Sequence, residues 1–351
     1  MANIMFLTIT AVILALYLWW GFRVLPGERW QMLATVPKLK NSNGSWQGIN
    51  YTWYGLLNAN AHLMAVAVLL ILLGSLGIPT LAIVLLALGI LSCCLPAAKI
   101  VAYIVEKKSH TFTVGGAVFV GIIITPLVIM MLNRFAGSAL GFQIPVIAAW
   151  AAIAISYTFG EGLGRLACIS FGCCYGKPLN DEKSAIIRFF SGSGFTFYGK
   201  TKKIVYADAL EAIPVIPVQA MTAILYTTSG LIATALFLSS HQSAAFLTAI
   251  ITTQTWRIFS ETLRADYRGS GKISAYQIMG STGMLYAVVM SLFMEQTASD
   301  VIPQIGEALN LIWQPGVLLF LQGVWLVVFL YTGRSTVTGA NLSFHVHHER
   351  I

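Results

Sequence analysis

Apolar residues fall in nine long runs, at 4–22, 53–74, 78–104, 113–132, 142–163, 218–240, 244–260, 275–293 and 316–332. A helix needs about 20 mostly apolar residues to cross some 30 Å of hydrocarbon. Inside hydrocarbon every backbone N–H and C=O must find a partner within the chain, so the runs are predicted to be helices. Barrel strands would instead leave short alternating segments, and the sequence has none. The run at 244–260 is short, and Pro96 interrupts the one at 78–104. The first run lacks a basic leader and ends on Trp19, Trp20 and Phe22, as an interfacial anchor does. It is read as a span. The fold predicted is an all-α polytopic membrane protein.

Composition strengthens this reading. Hydrophobic residues make up 57% of the 351 and charged residues only 10%, with mean hydropathy +0.77. A soluble domain carries about 25% charged residues. The partner the chain was built for is therefore the lipid bilayer. The sequence has no nucleotide-binding glycine signature, coiled-coil heptad or fixed repeat, and nothing in it points to a nucleic-acid partner. In a nine-span arrangement 19 of the 21 Lys and Arg lie on one side, and Lys99 falls within a span. The positive-inside rule would make that face cytoplasmic. A basic face also gathers anionic phospholipid headgroups, and the charges alone do not choose between the two.

One substantial segment, 164–217, leaves the membrane. It is expected to form a head of short strands and turns, with Ile186–Phe190 as a strand or interfacial piece. No other sizeable head is expected. Cys93, Cys94, Cys168, Cys173 and Cys174 have no standard zinc spacing, so they are assigned to helix packing, and no metal or other cofactor is implied. The tail from Ser343 to Ile351, with three histidines, is expected to be disordered.

Two stretches carry chemistry. In Gly160–Pro178, glycines and cysteines surround Arg165 where a span reaches the interface. Glycine permits tight turns and close approach, and the guanidinium fork suits a phosphodiester. In Trp256–Asp266, Arg257, Glu261 and Arg264 share one helix face. Charges at the end of a span are costly unless they pair or line a polar cavity. A self-satisfied interfacial network and an anion site both meet that requirement.

Residues 50–293 resemble the prolipoprotein diacylglyceryl transferase family. The resemblance rests on Trp53-Tyr54-Gly55-Leu56, Pro96-Ala97-Ala98-Lys99, Thr113-Val114-Gly115-Gly116, the stretch from Gly164 to Pro178, Pro217-Val218-Gln219, Arg257 to Arg264, and Ser274-Ala275-Tyr276-Gln277, in the family's order. It implies a seven-helix core at 53–293 bearing the head 164–217. Residues 1–52 would add a helix and a basic loop, and 294–351 a helix and a histidine-containing tail. It implies transfer of diacylglyceryl from phosphatidylglycerol, or another anionic phospholipid, to the lipobox cysteine of a prolipoprotein presented by its signal peptide. The setting implied is the bacterial inner membrane. Arg165, Arg257, Glu261 and His110 would be catalytic, the arginines holding phosphate. Tyr54, Lys99, Gly115, Gly116, Cys168, Cys173, Gly176, Gln219 and Arg264 would bind substrate, with Gly176 closing a turn.

The sequence departs from the family pattern at several places. Val114 stands where the family has histidine, with His110 four residues earlier as a partial substitute. Cys168 replaces an asparagine, Cys173 and Thr222 replace glutamates, and Thr52 replaces an arginine. These changes leave open a phospholipid-binding or transport protein that reuses the fold without catalysis. The family's site opens away from the cytoplasm, against the positive-inside reading; the family orientation is preferred because the basic count includes candidate site residues.

Overall fold

A computed structural model of the protein describes residues 1–107, 113–179, 192–265, 273–294 and 301–351. Each of the nine apolar runs is a helix in it: α1 (Ala2–Val24), α2 (Trp53–Gly74), α3 (Thr80–Glu106), α4 (Val114–Leu132), α5 (Val146–Phe171), α7 (Val218–Leu238), α8 (Gln242–Ser260), α9 (Ala275–Met294) and α11 (Pro315–Gly333). Short helices α6 (Lys203–Asp208) and α10 (Ile305–Ile312) complete the described set used below. Among the described residues eight helices are long and apolar enough to cross a membrane, and the chain is a multi-pass membrane protein. The helix outside that set is α8, which buries the polar side chains Gln242, Thr253 and Gln254 within the bundle.

The centre of the bundle is α5. Its apolar window is 72% buried, against 17% for both α1 and α11, which lie at the periphery. Small residues make this possible. Ala148, Ala149, Ala151 and Ala152 are fully buried, Gly160 lies against Ala65, and Gly162 lies against Tyr226. Close approach of backbones is how helices pack where no hydrophobic force drives them together. Here the structure corrects the expected head boundary. The stretch after residue 163 stays helical to Phe171, continuing the long apolar helix that begins at Val146, and the chain turns only at Gly172. Arg165 and Cys168 therefore sit on the last turns of a helix.

Two further expectations are corrected. The 25–52 segment is not a loop: β1 (Met32–Lys40) and β2 (Trp46–Thr52) form a hairpin, and β5 (Arg334–Leu342) pairs with the far edge of β2. The head is thus not the sole structure on its face. Asn50 ties the three strands, accepting from Thr35 Oγ1 at 2.8 Å and donating to Thr338 Oγ1 at 3.1 Å. Directly beneath, Gly55 meets the backbone of Gly333, so α2 and α11 cross where neither has a side chain. Thr52, at the position of a family arginine, donates to Gly333 O at 3.1 Å. The last residues, from Ser343, are exposed and end in one 3-10 turn at His348–Arg350.

The head itself is small. Strand β3 (Phe195–Thr196) pairs with β4 (Pro214–Val215), while 186–190 lies outside the described residues. Lys202 fastens the head to the bundle. Fully buried, it donates to Leu25 O at 3.0 Å and to Ser170 O at 2.7 Å. Burial pushes its ammonium down to about 8, with Glu28 opposing the shift. Below that value folded and unfolded chains both carry the charge. Between about 8 and the ordinary value of 10.5 the unfolded chain keeps a proton that the folded chain has released, so stability rises with pH. The full gain is on the order of 3 kcal/mol. The thermal midpoint of the detergent-solubilised protein is expected to rise across that window relative to Lys202→Met. Parallel profiles for the two proteins would refute it.

Candidate active site

Tyr157, Glu161 and Arg165 are spaced four residues apart, so they form one stripe along the C-terminal part of α5. The Glu161 carboxylate pairs with Arg165, and the same oxygen lies 3.7 Å from Arg257 Nη2, which comes from the last turn of α8. Arg257 Nη2 also donates to Tyr157 Oη at 3.0 Å. The side chains of all three charged residues are only 10–13% exposed. Two positive groups therefore share one negative group. Among the described residues, the Nε–H of Arg165 and the Nε–H of Arg257 are both buried and without a hydrogen-bond partner.

Neighbouring elements close around this cluster. A Cβ on Gly115, at the start of α4, would lie 2.9 Å from Arg257 Nη1 and 2.5 Å from the Tyr276 ring. Only glycine lets α4 come that near. Tyr276 is held in place by a capping box at the start of α9: Ser274 N–H donates to Gln277 Oε1 at 2.9 Å, and Gln277 N–H donates to Ser274 Oγ at 3.1 Å. Gln277 Nε2 then reaches Ile258 O at 3.1 Å and ties α9 to α8. Glu261, half-buried at the end of α8, lies within electrostatic reach of Arg257.

The other wall begins where α5 stops. Gly172 turns left-handed at φ 70°, its N–H bonds Ile169 O at 3.2 Å, and Cys173 N–H bonds Cys168 O at 3.0 Å. This is a Schellman turn, which folds the residue after the glycine back over the last helical turn. Cys173 consequently faces Cys168. Cys174 is left-handed as well, at φ 58°, and the three Sγ atoms lie within 4.8 Å of one another. Arg165 and Arg264 are both within electrostatic reach of Cys174. Gln219 Nε2 donates to Cys173 O at 2.9 Å, and Tyr54 faces the thiols and packs on Phe171.

The next residues run as a strand between two neighbours. Gly176 N–H bonds Ile216 O at 3.2 Å, Lys177 N–H bonds Leu263 O at 2.9 Å, and Ala265 N–H bonds Tyr175 O at 3.2 Å. A Cβ on Gly176 would stand 2.6 Å from both the Cβ and the carbonyl oxygen of Ile216. Close approach, not turn closure, is what demands glycine there; the turn belongs to Gly172.

The structure thus brings together Arg165, Arg257, Glu261, Arg264, Gly115, Gly176, Cys168, Cys173, Gln219 and Tyr54. Lys99 is exposed on α3 and, among the described residues, has no hydrogen bond or ion pair. Gly116 packs on Val101 and serves the α3–α4 contact. His110 lies outside the described residues. Sequence reasoning passed over Glu161 and Tyr157. The available signal was the Glu161–Arg165 spacing: a carboxylate in an apolar run is costly unless paired.

A family model described as prolipoprotein diacylglyceryl transferase matches residues 45–293. The chain belongs to the prolipoprotein diacylglyceryl transferase family. The match covers β2, the seven long helices between α2 and α9 and the short helix α6, and leaves α1, β1, α10, α11 and β5 outside it. No curated protein matches the chain. Membership of the diacylglyceryl transferase family makes this a membrane transferase of lipoprotein biosynthesis, acting in general on lipid and prolipoprotein. An apolar cleft of about 200 Å³ lies between α1, α2, α5 and α7, lined by Phe6, Ile13, Met64, Val68, Phe159 and Leu231.

Proposed function

We propose that the protein transfers the diacylglyceryl group of phosphatidylglycerol to the lipobox cysteine thiol of a prolipoprotein, in the bacterial inner membrane, with its site opening away from the cytoplasm. The observation that carries this reading is the pair of buried guanidinium groups that share Glu161 while each keeps an unpartnered Nε–H. Arg165, Arg257 and Glu161 together carry one net positive charge, the complement of one phosphodiester.

In the proposed step the acceptor sulfur attacks the glyceryl carbon bonded to the phosphate oxygen. The C–O bond breaks, and glycerol phosphate leaves with the electron pair. Its phosphate goes from one negative charge to nearly two, and the preset guanidinium donors stabilise that increase more than they stabilise the substrate. The thiol must give up its proton as attack proceeds; the sequence offers no clear base for it, His110 being a partial substitute for the family histidine and Glu261 a support of the pocket. Tyr54, Gly115, Gly176, Gln219 and Arg264 would shape the pocket, and Lys99, exposed as it is, would meet headgroups at the rim.

Cells depleted of their resident diacylglyceryl transferase test the reading. Expression of this chain is expected to restore growth and lipoprotein processing. Failure to restore either, with the protein present in the membrane, would overturn it. A second reading is favoured by Val114, Cys168 and Cys173, which replace family histidine, asparagine and glutamate: the protein would bind anionic phospholipid without transferring it. Binding of phosphatidylglycerol vesicles without release of glycerol phosphate would support that reading.

A further inference from the structure

Three cysteines converge beside the arginine cluster, and none is used in the transfer step above. Two left-handed residues, Gly172 and Cys174, impose the convergence through backbone geometry, so it does not depend on side-chain rotamers alone. We infer that Cys168, Cys173 and Cys174 hold one thiophilic cation of the Zn2+ type as a three-sulfur site.

The distances fit. Zinc–thiolate bonds are about 2.3 Å, which places three sulfurs around one ion about 3.7–4.0 Å apart. The three Sγ atoms already lie within 4.8 Å of one another, and rotation about χ1 covers the remainder. The charge fits as well. Three thiolates and a divalent cation leave one negative charge, and Arg165 and Arg264 stand close enough to offset it. Tyr54 and the Gln219–Cys173 hydrogen bond brace the ligand loop from two other helices, the kind of outer support that ligands of a real site need.

Three protein ligands leave one position of a tetrahedron open, the pattern of catalytic rather than structural zinc. A fourth soft donor taken there, an acceptor thiol, would arrive as its thiolate and release its proton to solvent. This last step rests on the transfer reading; binding of the ion does not.

The test is made on the full chain in detergent, reduced, stripped by chelator and titrated with Zn2+ against a chromophoric chelator. One Zn2+ per chain is expected. Loss of a supporting residue already costs 10–100-fold in affinity, so Cys173→Ser and Cys174→Ser are each expected to weaken binding by at least about 100-fold. The exposed histidines His345, His347 and His348 are a competing site, and replacing all three with alanine is expected to leave the stoichiometry unchanged. Zn2+ is also expected to protect the thiols from alkylation in the wild-type chain, a readout that needs no variant to fold. Cooperatively melting wild-type protein that retains no Zn2+ would overturn the inference. So would binding that vanishes with the histidines, or a disulfide among the three cysteines in protein isolated with its thiols blocked. None of these readouts depends on transfer activity.

Discussion

Arg165→Ala is expected to lower phosphatidylglycerol-dependent release of glycerol phosphate by about 100- to 1,000-fold, the usual cost of removing one preset donor to a developing anion. Arg165→Lys should fall between alanine and the wild type, because it keeps the charge but loses the planar fork. The fold should survive both changes, since Glu161 keeps Arg257 at 3.7 Å as a partner. If Arg165 were only an interfacial anchor, lysine would be nearly neutral and alanine would act through expression. Thermal melting measured beside the release assay separates the two cases. Full activity in a folded alanine variant would end the phosphate-clamp proposal.

Glu161→Gln should act in the opposite sense, on the fold first. It leaves two buried guanidinium groups facing each other with no shared anion, and loss of one partner of a buried pair costs about 3–5 kcal/mol. The thermal midpoint in detergent should drop accordingly. Anionic phospholipid supplies the missing charge, so phosphatidylglycerol should raise the variant's midpoint more than the wild type's. Arg257→Ala added to Glu161→Gln should recover part of the loss, because the repelling pair is gone and the two changes couple. A variant that melts like the wild type, with or without lipid, would show that Glu161 does not hold the arginines together.

The helices were legible because an apolar run of about 20 residues has only one way to satisfy its backbone in hydrocarbon. Arg165 and Arg257 were legible for a related reason: a charge near the end of a span requires a partner or a cavity. The sheet was not. Pro37, Lys38 and Lys40 break the apolar alternation of β1, and the third strand comes from the other end of the chain. Lys99 matched a local motif yet points outward, since a motif fixes chain position but not the direction in which a helix presents a side chain. The cysteines were read as helix packing because the geometry that gathers Cys168, Cys173 and Cys174 comes from a Schellman turn followed by a left-handed residue. Metal-ligand spacings in sequence rarely encode that path. A thiol at the position of a family glutamate is then less a lost carboxylate than part of a different donor set.

The sheet also bears on how the chain is made. Trp46 pairs with Leu342 and Gln47 with Asn341, so the last strand is synthesised only after every membrane helix that separates it from its partner. Until then β2 presents an unpaired edge, a standing template for wrong pairing, and loop closure over such a length favours late assembly. Proline and lysines already blunt β1, on the outer side of the hairpin. The inner edge has no such guard, and its protection during biogenesis must come from elsewhere until β5 arrives. Arrival of β5 thereby seals that edge, and a chain cut short after α11 would leave it open.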